Sequence, residues 1–269
     1  MKTLIAGKRS TTVRVLGMAT TLVASMASAG ISLAADIHVL ASGAPAEVAK
    51  VLAARFAQDT GHRVVLSVAT PGIIRQKLAS GGIADIVLLP APAIEALETA
   101  GALRPGSRVD LARVGIGVVV RAGAPLPDIS TKDAVRKLLL DANSIVYPDP
   151  SAGGFAGAAI VRMMTQMGIA EAVRPKVALL QAIAGGVALV AKGEAEVGLF
   201  NISEILPIKG VTLVGPLPSG LQSYIVFAAA IHASNSAPAP AQAFIKFLSA
   251  PPAREHWTAG GLESLSGGS

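Results

Sequence analysis

Apolar and polar positions alternate along the chain in two different patterns. Residues 37–41 and 84–89 are short and mostly apolar, which is typical of strands buried on both faces of a sheet. Between these runs, Val48, Val51 and Leu52 recur at the spacing of one helix face. Strand and helix patterns continue to alternate towards the C-terminus. This alternation predicts an α/β protein, in which helices flank the sheets.

The predicted elements form two consecutive series. Strands are predicted at residues 37–41, 64–69, 84–89, 114–121, 144–147, 176–180, 196–200 and 224–231. Helices are predicted at residues 45–60, 71–80, 93–100, 155–167, 183–192 and 241–248, with a further helix that begins near residue 131. The first series ends at the strand 114–121, and the second begins after it.

Two series of this kind predict two lobes. We interpret 114–121 as the strand that crosses to the second lobe and 224–231 as the strand that returns. Residues 35–116 and 222–269 then form lobe 1, and residues 117–221 form lobe 2. We expect each lobe to be a mostly parallel sheet flanked by helices, with two hinge crossings between the lobes. A cleft between such lobes can close around a solute.

The N-terminus has the pattern of a secretory signal peptide. Four basic residues within the first 14 positions precede an apolar stretch over residues 15–26, and small residues follow up to Ala29 and Ala34. The apolar stretch is shorter than the roughly 20 residues that a membrane-spanning helix needs. We expect residues 1–34 to be a signal peptide that is cleaved after Ala34, with Ala29 as the other possible site, and the mature protein to lie in a bacterial periplasm. The alternative is an uncleaved N-terminal anchor.

Composition excludes several classes of function. The chain has 23 basic and 17 acidic residues, and four of the basic residues lie in the leader, which leaves 19 against 17. They do not cluster into the basic stripe that nucleic-acid binding needs, so no nucleic-acid partner is expected. The chain has no cysteine, which excludes a thiolate metal site and a cysteine nucleophile.

Sequence motifs for catalysis and metal binding are absent. The four histidines have no acidic partners at metal-ligand spacing, and the sequence contains neither a G-x-S-x-G elbow nor a G-x-x-x-x-G-K-[ST] loop. We therefore expect a binding protein without a cofactor or a metal, and not an enzyme. The alternatives are a sensory binding module that signals to a membrane receptor, and a secreted hydrolase that uses Asp85 or Asp149.

A family resemblance covers nearly the whole chain after the leader. The residues that carry it are 37–41, 54–56, 76–81, 84–86, 149–150, 152–153, 174–177, 188–190, 193–195, 198 and 247–251. In this order and spacing they resemble the molybdate-binding proteins of ABC importers, which are type II periplasmic solute-binding proteins. The resemblance implies a monomer that binds a small anionic solute. Its partners would be an inner-membrane permease and ATPase subunits.

The resemblance also implies where a ligand would bind. In that family, hydroxyls and backbone N–H groups at helix N-termini hold an oxyanion without a cation. The serine of the first loop is Ala44 here, with Ser42 two residues earlier. The serine cluster of the second loop reads Thr70-Pro71-Gly72.

The other loops match the family to different degrees. Ala152 and Gly153 match a backbone-donating pair in the third loop, Ile183 takes a valine position, and Asn201 replaces a tyrosine. These departures favour either a compensated oxyanion site or a site for a small organic acid.

The candidate ligand residues share a position at a strand end or a helix start, where helix N–H groups have no partner within the helix. They are Ser42, Thr70, Gly72, Ser151, Ala152, Gly153, Ile183 and Asn201. None is a lysine or an arginine, so the sequence predicts a small anion held by dipoles and hydroxyls. The alternative is a carboxylate clamped by Arg75, which lies one turn into the second helix.

Overall fold

The computed structural model describes residue 3 and residues 34–152, 155–180, 185–236 and 238–265. The predicted signal peptide, apart from Thr3 and Ala34, lies outside these residues. The strands are β1 Asp36–Ala41, β2 Arg63–Val68, β3 Ile86–Pro90, β4 Val109–Val114, β5 Ile116–Arg121, β6 Ile145–Pro148, β7 Val177–Leu180, β8 Val197–Asn201, β9 Val211–Pro216, β10 Ile225–Ile231 and β11 Glu263–Ser264.

Helices connect most of these strands. They are α1 Gly43–Thr60, α2 Pro71–Ala79, α3 Ala91–Thr99, α4 Lys132–Asp141, α5 Phe155–Gln166, α6 Ala170–Val173, α7 Gly186–Lys192, α8 Ile202–Ile205, α9 Pro238–Ser249 and α10 Pro251–Ala259. Short 3₁₀ turns lie at Pro150–Ala152 and Arg174–Lys176. No helix in the described part of the chain is both long and apolar enough to cross a membrane.

The strands form two sheets, in the orders β11-β4-β10-β3-β1-β2 and β7-β6-β8-β5-β9. In the first sheet β1 pairs in parallel with β2 and β3, and in the second sheet β6 pairs in parallel with β7 and β8. The pairings that involve β10, β4, β11, β5 and β9 are antiparallel. The predicted α/β class with helix-flanked sheets is confirmed. The sheets are mixed, however, where we expected mostly parallel ones.

The predicted strand 114–121 is wrong in one respect, because it is two strands in different sheets. β4 ends at Val114 in the first sheet and β5 begins at Ile116 in the second, with Gly115 between them. A Cβ atom at Gly115 would lie 2.8 Å from Gln222 Nε2, so a side chain at the crossing would displace the Gln222 amide. Apolar residues continue across the change of sheet, which is why the hydrophobic pattern does not reveal it.

The side chain of Gln222 links the two connections between the sheets. Its Oε1 accepts a hydrogen bond from Ile116 N at 2.8 Å, and its Nε2 donates to Ile116 O at 3.0 Å. Gln222 therefore pairs with the first residue of β5 as a neighbouring strand would. The amide thus joins the two connections, beside a backbone hydrogen bond from Leu217 N to Ile116 O at 3.0 Å.

Apolar clusters cover both faces of each sheet. Trp257 of α10 is fully buried beneath the first sheet, and its indole Nε1 donates to Leu248 O at 2.9 Å. α1 ends at Gly61, whose left-handed conformation (φ 75°) lets its N–H bond to Ala57 O. This core holds the carboxyl ends of the parallel strands in place, and the candidate site is built on those ends.

Candidate ligand-binding site

The carboxyl ends of β1 and β2 place two helix starts side by side in the first sheet. Because these strands are parallel, the residues that follow them lie at the same edge. Ala69 N donates to Ala41 O at 3.1 Å, and Ser42 N donates to Leu88 O at 2.9 Å. The pairing thus continues up to the first residues of α1 and α2.

Ser42 precedes α1, but its hydroxyl does not cap the helix. The side chain is buried, and Oγ lies 3.4 Å from Leu88 O, to which it donates weakly. The first turn of α1 carries no acidic residue. Neither Ser42 nor an acidic residue of the first turn therefore caps this helix start, and the Ser42 hydroxyl is directed at the backbone of β3.

Thr70 caps α2, as the sequence predicts. Its Oγ1 accepts a hydrogen bond from Ile73 N at 3.3 Å, and Pro71 occupies the first helical position. Because Oγ1 acts as acceptor in the cap, the hydroxyl hydrogen stays available to donate to a ligand. Gly72 is exposed, and a Cβ atom there would meet only Thr70 Oγ1, at 4.0 Å. Arg75 is exposed on the next turn.

The second sheet has an equivalent edge at the carboxyl ends of its parallel strands. The register that pairs Val146 with Gly198 brings Asp149 level with Asn201. β7 ends at Leu180 beside Pro148, at the same edge. Two predicted ligand residues, Gly153 and Ile183, lie outside the described residues.

Ser151 and Asp149 form a local turn after β6. Ser151 N and Oγ both donate to Asp149 Oδ1, at 2.8 Å and 2.7 Å. Both donors of this exposed serine are therefore used by a buried carboxylate, and Ala152 follows as the last residue of the 3₁₀ turn. Burial raises the pKa of the neighbouring Tyr147, and the charge of Asp149 raises it further.

Asn201 has the most unusual environment of the predicted residues. It ends β8, precedes α8 and is only 5% exposed. Its Nδ2 donates to Glu204 Oε1 at 3.0 Å, whereas Oδ1 is buried and has no hydrogen-bond partner among the described residues. Burial raises the pKa of Glu204, although hydrogen bonds from the Asn201 side chain and backbone oppose this.

Sequence reasoning missed Glu204 and Gln222 as residues that shape this region. Glu204 stands three residues after Asn201, which is the spacing of a capping box, in which an N3 glutamate reaches back to the N-cap residue. That spacing was the available signal for Glu204. Gln222 carries no comparable signal, since its partner, Ile116, lies 106 residues away.

The two edges meet through apolar packing between the helix starts. Ala44 of α1 and Ala156 of α5 belong to one buried cluster, and Ile202 of α8 packs against it. α8 also contacts α1. A Cβ atom at Gly261, in the loop before β11, would lie 2.8 Å from Leu206 Cδ1. The helix starts that follow β1, β6 and β8 therefore lie next to one another.

Asp85, one of the two carboxylates considered for hydrolysis, lies away from these edges. It precedes the amino end of β3, where its Oδ2 accepts from His38 N at 2.7 Å and lies 3.4 Å from His38 Nδ1. Asp85 therefore links the segment before β3 to the neighbouring strand β1, which is a structural role. Among the described residues, no group of three or more histidine, aspartate or glutamate side chains is placed to hold a metal ion.

Comparison with known proteins gives a consistent family. Residues 37–263 match the model of the family described as bacterial extracellular solute-binding protein. An aconitate isomerase from a Pseudomonas species is 30% identical over 234 residues, which cover 85% of this chain and 88% of the relative. The molybdate-binding protein ModA of Rhodobacter capsulatus is 27% identical and is covered to 81%, over 78% of this chain.

A solved structure shows the same fold. The periplasmic molybdate-binding protein of Azotobacter vinelandii superposes with a TM-score of 0.69 at 22% identity, over 84% of this chain and 98% of that one.

Proposed function

Since the chain belongs to the bacterial extracellular solute-binding proteins, of the molybdate-binding type, we propose that it captures a small anion for an ABC importer in the periplasm. The observation that carries the proposal is the pair of facing strand ends. On the first sheet, the start of α1 has no side-chain cap and Thr70 keeps a free hydroxyl hydrogen. Helix N–H groups and hydroxyls of this kind bind anions without a cation.

The proposal includes the arrangement of the lobes. Residues 35–116 with 222–269 would form lobe 1 and residues 117–221 lobe 2, with hinges at Gly115 and near Gln222. Ligand would draw the lobes together, and the closed form would be presented to an inner-membrane permease with ATPase subunits. The protein would act as a monomer. Residues 1–34 would direct its export and would then be removed.

The ligand would be an oxyanion or a small organic acid. None of the candidate ligand residues is a lysine or an arginine, so the charge of the ligand must be met by dipoles and hydroxyls. Thr70 and Asn201 would contact it from opposite sheets, with Gly72 and Ala152 allowing close approach of the backbone. Ser42 and Ser151 would contribute less, because their hydroxyls already donate within the protein.

A thermal-shift screen of the mature protein tests this proposal. Molybdate, tungstate, sulfate, phosphate and small carboxylates are each added at increasing concentration. A true ligand raises the midpoint in proportion to RT ln(1 + [L]/Kd), whereas non-ligands leave it unchanged. Small-angle scattering with the best ligand should then show contraction. No shift with any anion would overturn the proposal.

A second candidate function is suggested by the relative named as an aconitate isomerase. The Asp149 and Glu204 carboxyls lie at the strand ends where an organic acid would bind, and such groups can move protons. Incubating the protein with trans-aconitate and following the cis isomer by NMR tests this activity. We expect binding without conversion. Turnover that Glu204→Gln or Asp149→Asn abolishes would favour the enzyme.

A further inference from the structure

The unpaired oxygen of Asn201 is a hydrogen-bond acceptor in the region where the two sheets face each other. Asn201 is 95% buried, and its Oδ1 has no partner among the described residues. A buried acceptor without a partner is costly, so such groups usually have a ligand or a water as their missing donor. The carboxylates of Asp149 and Glu204 lie at the same edge of the sheet and are hydrogen-bond acceptors as well.

Glu204 holds the amide of Asn201 in this orientation. Nδ2 donates to Glu204 Oε1 at 3.0 Å. If the amide turned over, Oδ1 would face the carboxylate, and two acceptors would meet without a hydrogen between them. An ionised Glu204 therefore keeps the acceptor side of Asn201 directed away from itself.

An acceptor in this position favours anions that carry a hydrogen-bond donor over anions that carry none. An anion without a hydrogen, such as molybdate or sulfate, would bring its own oxygens against Asn201 Oδ1 and gain nothing there. An anion with an O–H group would donate to Oδ1 and still accept from Thr70 and the helix N–H groups. A site with a built-in polar partner rejects analogues that lack the matching group more strongly than an apolar pocket rejects a size difference.

We infer that this site selects small anions that carry their own O–H donor, and that Asn201 Oδ1 is the acceptor that reads it. The inference rests on the proposed function and names the chemical class of its ligand. Glu204 acts as a positioning residue, because it contacts the amide and sets its orientation.

Matched pairs of anions test the inference by calorimetric titration at neutral pH. Malate and succinate differ by one hydroxyl, and hydrogen phosphate and sulfate are tetrahedral dianions of which only the first carries a hydrogen. At least one of the two pairs should bind to the wild type. Within that pair, the anion with the O–H donor should bind at least about tenfold more tightly than the anion without it. Asn201→Ala should reduce this ratio of affinities to less than about threefold, because the acceptor for the O–H group of the anion is gone.

Two further variants distinguish a loss of selectivity from a general loss of structure. Glu204→Gln should relax the ratio while binding persists, because a glutamine can face either side of the Asn201 amide. Ser203→Ala is the matched control, since Ser203 Oγ is the other unpaired buried atom of this turn and Ser203 N lies against the loop at Gly261. That variant should keep the wild-type ratio.

The outcomes distinguish the inference from the proposed function. Equal affinity for both members of a pair, or an unchanged ratio in Asn201→Ala, would overturn the inference alone and assign Oδ1 to a bound water. Failure of all four anions to bind, together with a negative thermal-shift screen, would overturn the proposed function and the inference with it.

Discussion

The strand ends of the two sheets differ in the hydrogen-bonding groups that they present. At the first sheet, Thr70 caps its helix as an acceptor and so retains a hydrogen to donate. At the second sheet, Asn201 uses a donor on Glu204 and retains an acceptor, and Asp149 accepts from Ser151. Both residues stand at the carboxyl end of a strand that has a parallel neighbour, and both precede a helix, yet the groups that they leave available are of opposite kinds.

The difference shows that one topology can provide unlike groups at equivalent strand ends. Position at a strand end sets where a polar side chain lies, whereas its local partners set whether it still donates or accepts. A ligand between the two sheets would need negative oxygens on one side and a donor on the other.

The largest effect is expected at Gly157, near the start of α5. A Cβ atom there would lie 2.2 Å from Pro148 O, a backbone atom that cannot move aside. Gly157→Ala should lower the free energy of unfolding by about 3 kcal/mol or more, as overpacking against backbone does.

Gly72→Ala at the start of α2 is the matched change, because only Thr70 Oγ1 lies within 4.0 Å of a Cβ atom placed there. It should be neutral or stabilise by up to about 1 kcal/mol. Chemical denaturation measures both, and equal losses would contradict the difference.

The next effect concerns the two threonine caps. Thr70 accepts from Ile73 N and Thr131 accepts from Ala134 N, so either change to alanine should cost about 1 kcal/mol of stability. Only Thr70→Ala should also weaken anion binding, by about 1.5–3 kcal/mol, because a charge-assisted hydrogen bond is lost. Denaturation and titration of both variants check this. Equal affinities in the two variants would show that Thr70 is a helix cap and nothing more.

A smaller, pH-dependent effect is expected at Glu204. Burial raises the pKa of this carboxyl in the folded protein, so the folded state binds the proton more tightly than the unfolded chain. Stability should therefore fall as the pH rises from the unfolded pKa to the folded pKa, and should level off above it.

Glu204→Gln removes the titrating group and should lack this fall. The variant should gain stability relative to the wild type across that pH interval, and the difference should be smallest at low pH. Urea denaturation at several pH values measures it. Parallel curves for the two proteins would mean that Glu204 does not titrate in this range.

The smallest effect is expected at Arg75. The side chain is exposed on α2, one turn beyond the cap, and the proposed site does not use it. Arg75→Ala should change both stability and affinity by less than about 0.5 kcal/mol, as surface substitutions usually do. A large loss of affinity in titration would move the charge recognition from helix ends to an arginine.

Much of the fold was predictable because buried parallel strands and amphipathic helices have strong hydrophobic patterns. β3 is buried at every position, and its apolar run was recognisable. β9 was missed because its residues are mostly half-buried, which leaves no continuous apolar run. α10 was missed because Pro251-Pro252 interrupts the pattern, although proline is compatible with the first turn of a helix.

The strand ends and helix starts that carry the candidate residues were predictable from the sequence, whereas the hydrogen-bond partners of their side chains were less so. The cap at Thr70 follows from the local sequence and is confirmed. The Ser42 hydroxyl is directed at Leu88, 46 residues away, and no local pattern encodes that contact. The unpaired acceptor of Asn201 depends on the orientation that Glu204 imposes, which only the folded arrangement shows.

We propose that one small anion is held between the strand ends of both sheets. The most direct test is calorimetric titration of the tightest anion from the screen into the wild type, Thr70→Ala, Asn201→Ala and the double variant. We predict that each single variant binds about 10- to 100-fold more weakly and the double variant more weakly than either. If both single variants bind as the wild type does while Arg75→Ala abolishes binding, an arginine-clamped carboxylate site replaces the one described.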